Sequence, residues 1–284
     1  MSAHGTPQSR TRTAVPAPGA RTAALLWSIR YEVLMATRRR AVWAAVLPLV
    51  ALTLLLAFTS PVVTGASDPV ARVGVTAVLV NSFCTLGLAL ALTDRLRRNL
   101  EARGLPELLA ATPSGRLPRL MGSLLGPLLT ALAPVAALLL AYGAFLSLTA
   151  GSVSPLAAAV AALGTAVLPA AVLAAAVAGL LGVLMPTAAA RAVTVVLWLW
   201  ATNFPPRFSP VPTPTGTVLS PLGGYPLVAW AGAPDVWAAR GSAGPLRPDV
   251  TTTSALLNLA LVLLTAAGCQ ALCLLTARLR RHGA

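Results

Sequence analysis

Residues 120–190 read LMGSLLGPLLTALAPVAALLLAYGAFLSLTAGSVSPLAAAVAALGTAVLPAAVLAAAVAGLLGVLMPTAAA, and no Asp, Glu, Arg, Lys or His stands in that stretch. A soluble domain carries a charge at about every fourth residue, so a run of this kind cannot cover a water-facing surface. A bilayer removes the conflict, because lipid solvates the apolar side chains. One crossing needs about 20 residues, and this run is far longer. The cluster Thr149-Ala150-Gly151-Ser152-Val153-Ser154-Pro155 divides it, since these are turn-forming residues. Two spans result, about 121–148 and 156–184. Pro127, Pro134 and Pro169 fall inside them and are tolerable kinks, because neighbouring helices can satisfy the freed backbone groups.

The same pattern recurs on both sides of this run. Apolar stretches at about 41–59, 73–93, 188–204 and 255–277 complete an all-α membrane protein with six transmembrane helices. The 284-residue chain is 57% hydrophobic and 10% charged, with a mean hydropathy of +0.80. Residues 1–20 are rich in Ser, Thr, Pro and Arg, show no signal-peptide pattern and read as a disordered cytoplasmic tail. Residues 21–284 form the transmembrane domain. Residues 22–36 look helical, with Leu25, Leu26, Ile29, Val33 and Ala36 on one arc. They read either as an interfacial helix or as an extension of the first span. The 205–254 segment is an extracellular loop in this reading. Val218 to Trp230 within it is too short to cross and reads as a re-entrant or interfacial element, or as an ordered external loop. Tyr225, Trp230 and Trp237 suit the headgroup region.

Arginine sets the orientation. All 21 basic residues are arginine. Seventeen fall in the N-terminal segment, the 94–119 loop, Arg191 and the C-terminal cluster Arg278, Arg280 and Arg281. Only Arg72, Arg207, Arg240 and Arg247 fall on the other side. The positive-inside bias places the first group, and both termini, in the cytoplasm. A third crossing within 120–190 would turn the C-terminal cluster outward, so parity favours six spans. The expected location is the cytoplasmic (plasma) membrane, as a multi-pass protein. A sequence pI near 11.7 suggests nucleic acid in a soluble protein, but no base-stacking aromatics are interleaved with these arginines, and no nucleic-acid partner is expected.

Several chemistries are excluded by composition. His4 and His282 both lie near the ends of the chain, which leaves no intramembrane Ser-His dyad or His-ligated metal site. No acidic residue sits within a span, which argues against a proton- or sodium-coupled carrier. Without lysine the chain cannot carry a Walker A phosphate loop, so ATP would have to be bound by a partner, and no cofactor is expected in this chain. Asn81, Asn258 and Gln270 are the main polar groups within spans, and interhelical hydrogen bonding is their default role. Cys84, Cys269 and Cys273 lie in apolar runs and read as packing residues.

The 94–119 loop, DRLRRNLEARGLPELLAATPSGRLPR, has its own helical punctuation. Gly104 ends the helix that leaves the second span. Pro106 suits the first position of a new short helix, with Glu107 in its first turn. Leu108 and Leu109 give that helix an apolar edge, and Thr112-Pro113-Ser114-Gly115 ends it. A short surface helix with an apolar ridge suits docking of a soluble partner. The string from Glu101 to Arg116, EARGLPELLAATPSGR, resembles the E-x-x-G-x-x-E-L-L-x-x-T-P-x-x-R signature of ABC-2-type permeases, the membrane subunits of ATP-binding-cassette exporters. The string LSPL, Leu219 to Leu222, is similar to a serine-proline element before the last span in that family.

This resemblance implies six spans, an N-terminal interfacial helix and re-entrant elements between spans five and six. It also implies that Glu101, Gly104, Glu107, Leu108, Leu109, Thr112, Pro113 and Arg116 belong to a coupling helix docked on an ABC ATPase subunit. Two permease copies, or one copy and a homologue, would pair in the lipid bilayer and export an apolar or amphiphilic substrate. The chain itself would not be an enzyme. The competing local reading pairs Glu101 and Glu107 with Arg97, Arg98 or Arg103 at helical spacing. Two other functions compete with this reading. An energy-coupling-factor importer component would need two Ala-Arg-Gly motifs on the cytoplasmic side, and Ala239-Arg240-Gly241 falls on the opposite side from Ala102-Arg103-Gly104. A membrane enzyme of lipid metabolism would need an acidic metal site, and Asp94, Glu101 and Glu107 are diluted by six arginines.

Overall fold

The computed structural model describes residues 18–95, 97–98, 116–204, 213–234 and 246–282, and among these every regular element is helical. In chain order they are α1 (Pro18–Thr37), α2 (Arg40–Thr59), α3 (Pro61–Thr64), α4 (Pro69–Leu92), α5 (Arg116–Ala150), α6 (Ser154–Leu184), α7 (Thr187–Thr202), α8 (Gly224–Ala231) and α9 (Thr252–His282). Five of them, α2, α4, α5, α6 and α9, are long and apolar enough to cross a membrane. The chain is a multi-pass α-helical membrane protein. Helix α7 is apolar but has 16 residues, about 24 Å at 1.5 Å per residue, against a hydrocarbon core of about 30 Å.

Helix ends follow local chemistry. Helix α4 begins at Pro69, four residues before the expected start, because the Asp68 carboxylate accepts the Val70 N–H at 3.1 Å and Pro69 occupies the first turn. Arg72 then lies within the helix and donates to the Ala66 carbonyl at 2.8 Å, tying the α3–α4 turn. Helix α1 starts at Pro18, inside the stretch expected to be tail. Arg39 is extended (φ −88°, ψ 106°) between α1 and α2, so α1 is a separate helix and not an extension of the first span.

Helix α4 forms the spine. In its membrane-length window 72% of residues are buried, against 22% in α2 and 17% in α9, which sit at the periphery. Neighbours approach it through small residues, as in other helix pairs without a hydrophobic driving force. Gly87 meets the Ala45 carbonyl of α2, and a Cβ at Gly182 of α6 would overlap the Thr93 carbonyl oxygen. Thr53 and Cys84 lie 3.3 Å apart between α2 and α4. Since 45 pairs with 87 and 53 with 84, the two helices run antiparallel. Leu173 and Ala176 of α6 pack with Val262 and Ala266 of α9.

Helix α1 lies along the first half of α5. Gly122 and Gly126 form a Gly-x-x-x-Gly step that leaves no room for a Cβ beside Ser28 and Glu32. Leu25, Ile29, Val33 and Ala36 turn toward the bundle, whereas Leu26 is exposed with Trp27, Tyr31 and Leu34. The Arg30 guanidinium sits 5.1 Å from the Trp27 ring. The outer face of α1 is thus apolar and flanked by a cation. Gly126→Leu is expected to unseat α1. Amide exchange over residues 22–37 should rise at least about tenfold, which corresponds to a loss of about 1.4 kcal/mol of local stability. Exchange in α4 and α6 should be unchanged. Uniform acceleration would mean that the step supports the whole fold and not the seat of α1.

Candidate functional site

Four residues at the exit of α4 gather the rest of the molecule around them. The Asp94 carboxylate accepts from Arg98 at 2.5 Å and from Arg191, in the first turns of α7, at 3.5 Å. Arg95 forms an ion pair with Glu32 of α1. Arg97 donates to the Met185 carbonyl at 3.3 Å, just past the end of α6. The base of the 94–119 loop is therefore joined to α1, α6 and α7 by charge-assisted contacts. This collar occupies one end of the bundle.

The collar's members differ in worth. Arg98 and Arg191 are about half exposed (53% and 45%), so their pairs with Asp94 contribute about 0–1 kcal/mol each. Arg95 is 7% exposed. Burial pushes its guanidinium below the ordinary arginine value, with Glu32 opposing the shift and Arg39 and Arg98 adding to it. Glu32→Ala leaves that buried charge unpaired. It is expected to cost about 3 kcal/mol, the low end for a broken buried pair because water reaches the Glu32 side. Asp94→Ala should cost no more than about 1 kcal/mol. Thermal unfolding followed by tryptophan fluorescence separates them, and equal losses would contradict this ranking.

Beside Arg95 lies a cavity of about 170 Å³ between α4, α5, α6 and α9, lined by Leu92, Leu124, Leu128, Gly179 and Gln270 as well as Arg95. The Arg95 Nε is buried without a hydrogen-bond partner among the described residues.

Of the residues expected to dock a partner, Glu101, Gly104, Glu107, Leu108, Leu109, Thr112 and Pro113 lie outside the described residues. Arg116 is the first residue of α5. The collar thus bounds the loop on one side and α5 on the other. Its cross-links were missed in the sequence, where Glu32 was not singled out and Arg97 and Arg98 were paired only with Glu101 or Glu107 of their own loop. The available signal was the scarcity of acids, with Glu32 the one acidic residue before Asp68.

At the opposite end, residues 213–234 enter the bundle. The Asn81 Nδ2 donates to the Leu222 carbonyl at 2.8 Å, and the Asn258 Nδ2 donates to the carbonyls of Val218 at 2.7 Å and Ser220 at 3.0 Å. Helix α8 is largely buried, with Tyr225 and Leu227 fully so. Helix α8 packs against α4, α6 and α9. Tyr225 is not at a headgroup surface, since it is enclosed and its hydroxyl donates to the Pro248 carbonyl at 3.3 Å. Trp237 lies outside the described residues.

Two π-helical turns, Val80–Cys84 in α4 and Leu163–Val167 in α6, flank the tip of this segment. A π turn widens the hydrogen-bonded ring and frees carbonyls from their usual partners. The Trp198 indole of α7 donates to the freed carbonyls of Asn81 and Ser82, both at 3.2 Å, and Thr85 donates to the Asn81 carbonyl. Gly223 (φ +67°) lies against Ala166, where a Cβ would stand 2.7 Å from the Ala166 Cβ. Asn81 and Asn258 thus fasten α4 and α9 to the 218–222 turn and not directly to another helix, which differs from the interhelical role expected for them. Comparison with family models, with curated proteins and with solved structures finds no match to the chain.

Proposed function

We propose that the chain is the membrane-spanning permease subunit of an ABC exporter, powered by a separate ATPase that docks on the 94–119 loop. The observation that carries this reading is the pairing of the Glu101–Arg116 string with the collar at its base. A loop that receives mechanical work from a soluble partner needs a stiff connection to the helices that must move. Asp94, Arg95 and Arg97 connect to α7, α1 and α6, so a displacement of the loop would reach three elements at once. Movement of this kind biases a two-state membrane domain when ATP closes the ATPases.

The six-span topology belongs to the same reading. Helix α7 would be the short fifth span, with Arg191 at the collar end and Trp198 reaching Asn81 along α4. Local thinning of the bilayer accommodates its length. Both termini, the loop and the arginine-rich end then face the cytoplasm of the plasma membrane, and residues 213–234 face outward. The apolar faces of α2 and α9, with Leu52, Leu55, Leu264 and Leu272 exposed, would meet lipid or a second permease copy. The absence of acidic residues from the spans suits an apolar or amphiphilic substrate. Co-expression with an ATP-binding-cassette ATPase encoded beside this chain, followed by affinity purification through the permease, is expected to recover both subunits. Recovery of the permease alone would overturn the proposal.

A further inference from the structure

Only part of the Arg95 guanidinium is matched by opposite charge. Glu32 engages its Nη2, while its Nε is buried and unpartnered among the described residues. Arg39 and Arg98 lie near enough to add like charge, and Asp94 is already engaged by Arg98 and Arg191. The site therefore has room for one more anion. The adjoining space is apolar, walled by Leu92, Leu124, Leu128, Ala175 and Gly179. Its volume of about 170 Å³ is comparable to apolar cavities of about 150 Å³ that admit a benzene-sized guest. Arg95 stands three residues beyond the last residue of α4, the depth at which a lipid headgroup meets the hydrocarbon.

We infer that this cavity binds one anionic lipid of the adjacent leaflet, with its phosphate on the Arg95 guanidinium and the first few carbons of an acyl chain between α5, α6 and α9. The assignment of that leaflet as cytoplasmic rests on the topology proposed above, but binding itself needs no ATPase. Charge selects the headgroup and the apolar walls hold the chain, so both features are required together. Gly179 offers a clean probe of the second, because a Cβ there meets nothing within 4 Å. A side chain at that position therefore starts in open space at the cavity wall.

The test uses the full chain in neutral detergent, mixed with vesicles of phosphatidylglycerol or of phosphatidylcholine with identical chains, and native mass spectrometry of the lipid retained. The wild type is expected to retain phosphatidylglycerol about tenfold more than phosphatidylcholine, whose phosphate is the same but whose choline cation meets the like charge of Arg95, Arg39 and Arg98. Gly179→Leu is expected to lose both lipids with no fall in melting temperature. Arg95→Gln should reduce phosphatidylglycerol to the phosphatidylcholine level. Unchanged retention in Gly179→Leu, or equal retention of the two lipids by the wild type, would overturn the inference. Displacement of phosphatidylglycerol by millimolar inorganic phosphate would also overturn it, since a bare anion site needs no acyl chain. An ATPase pull-down on the same preparations reads the docking proposal separately, because a chain can keep its lipid and lose its ATPase, or the reverse.

Discussion

Replacement of Glu107, Leu108 and Leu109 by glycine is expected to reduce ATPase recovery to background while the membrane domain stays folded. Each leucine buried in a partner's cleft contributes about 1.5–3 kcal/mol. Losing two, together with the helical order that glycine removes, weakens binding by at least about a hundredfold. The change lies beyond the collar, so Glu32–Arg95 and Asp94–Arg191 remain and the melting temperature should hold. ATP-driven export should disappear with the complex, since the chain has no lysine with which to build a phosphate loop of its own. ATPase recovery equal to the wild type would refute the docking assignment. A lowered melting temperature with intact binding would place these residues in the fold instead.

Asn258→Leu is expected to release the segment that enters the opposite end of the bundle. The Asn258 amide satisfies the carbonyls of Val218 and Ser220, and an apolar side chain leaves both without that donor. Each buried carbonyl so exposed to an apolar environment costs about 1–3 kcal/mol, a penalty that water cannot relieve at membrane depth. The loss of about 2–6 kcal/mol exceeds what the exposed collar pairs contribute. Amide exchange over residues 213–234 should accelerate by one to four orders of magnitude, with α2 and α5 unchanged. Persistent protection would mean that Asn81 alone, through the Leu222 carbonyl, holds the tip in place.

The contrast between these two ends shows what was legible beforehand. Hydrocarbon excludes charge and imposes a length, so the spans could be read from composition to within a few residues, as at α2 and α6. The turn at Gly151 followed from local chemistry alone, whereas the sequence leaves the break before Arg40 open. The Glu101–Arg116 string was visible because its residues are contiguous in the sequence. Its base was not, since Glu32 and Arg95 are separated by 63 positions, and no periodicity connects them.

Residues 120–190 and the arginine distribution by themselves determined that this is a helical membrane protein with one arginine-rich side, because desolvation of charge is a property of each residue wherever it sits. Tertiary structure alone decided that Arg95 is buried beside a cavity, that α1 rests on Gly122 and Gly126, and that residues 213–234 enter the bundle beneath Asn81 and Asn258. Each of these depends on which backbones can approach and which polar groups then lack water. Both are settled only when distant helices pack.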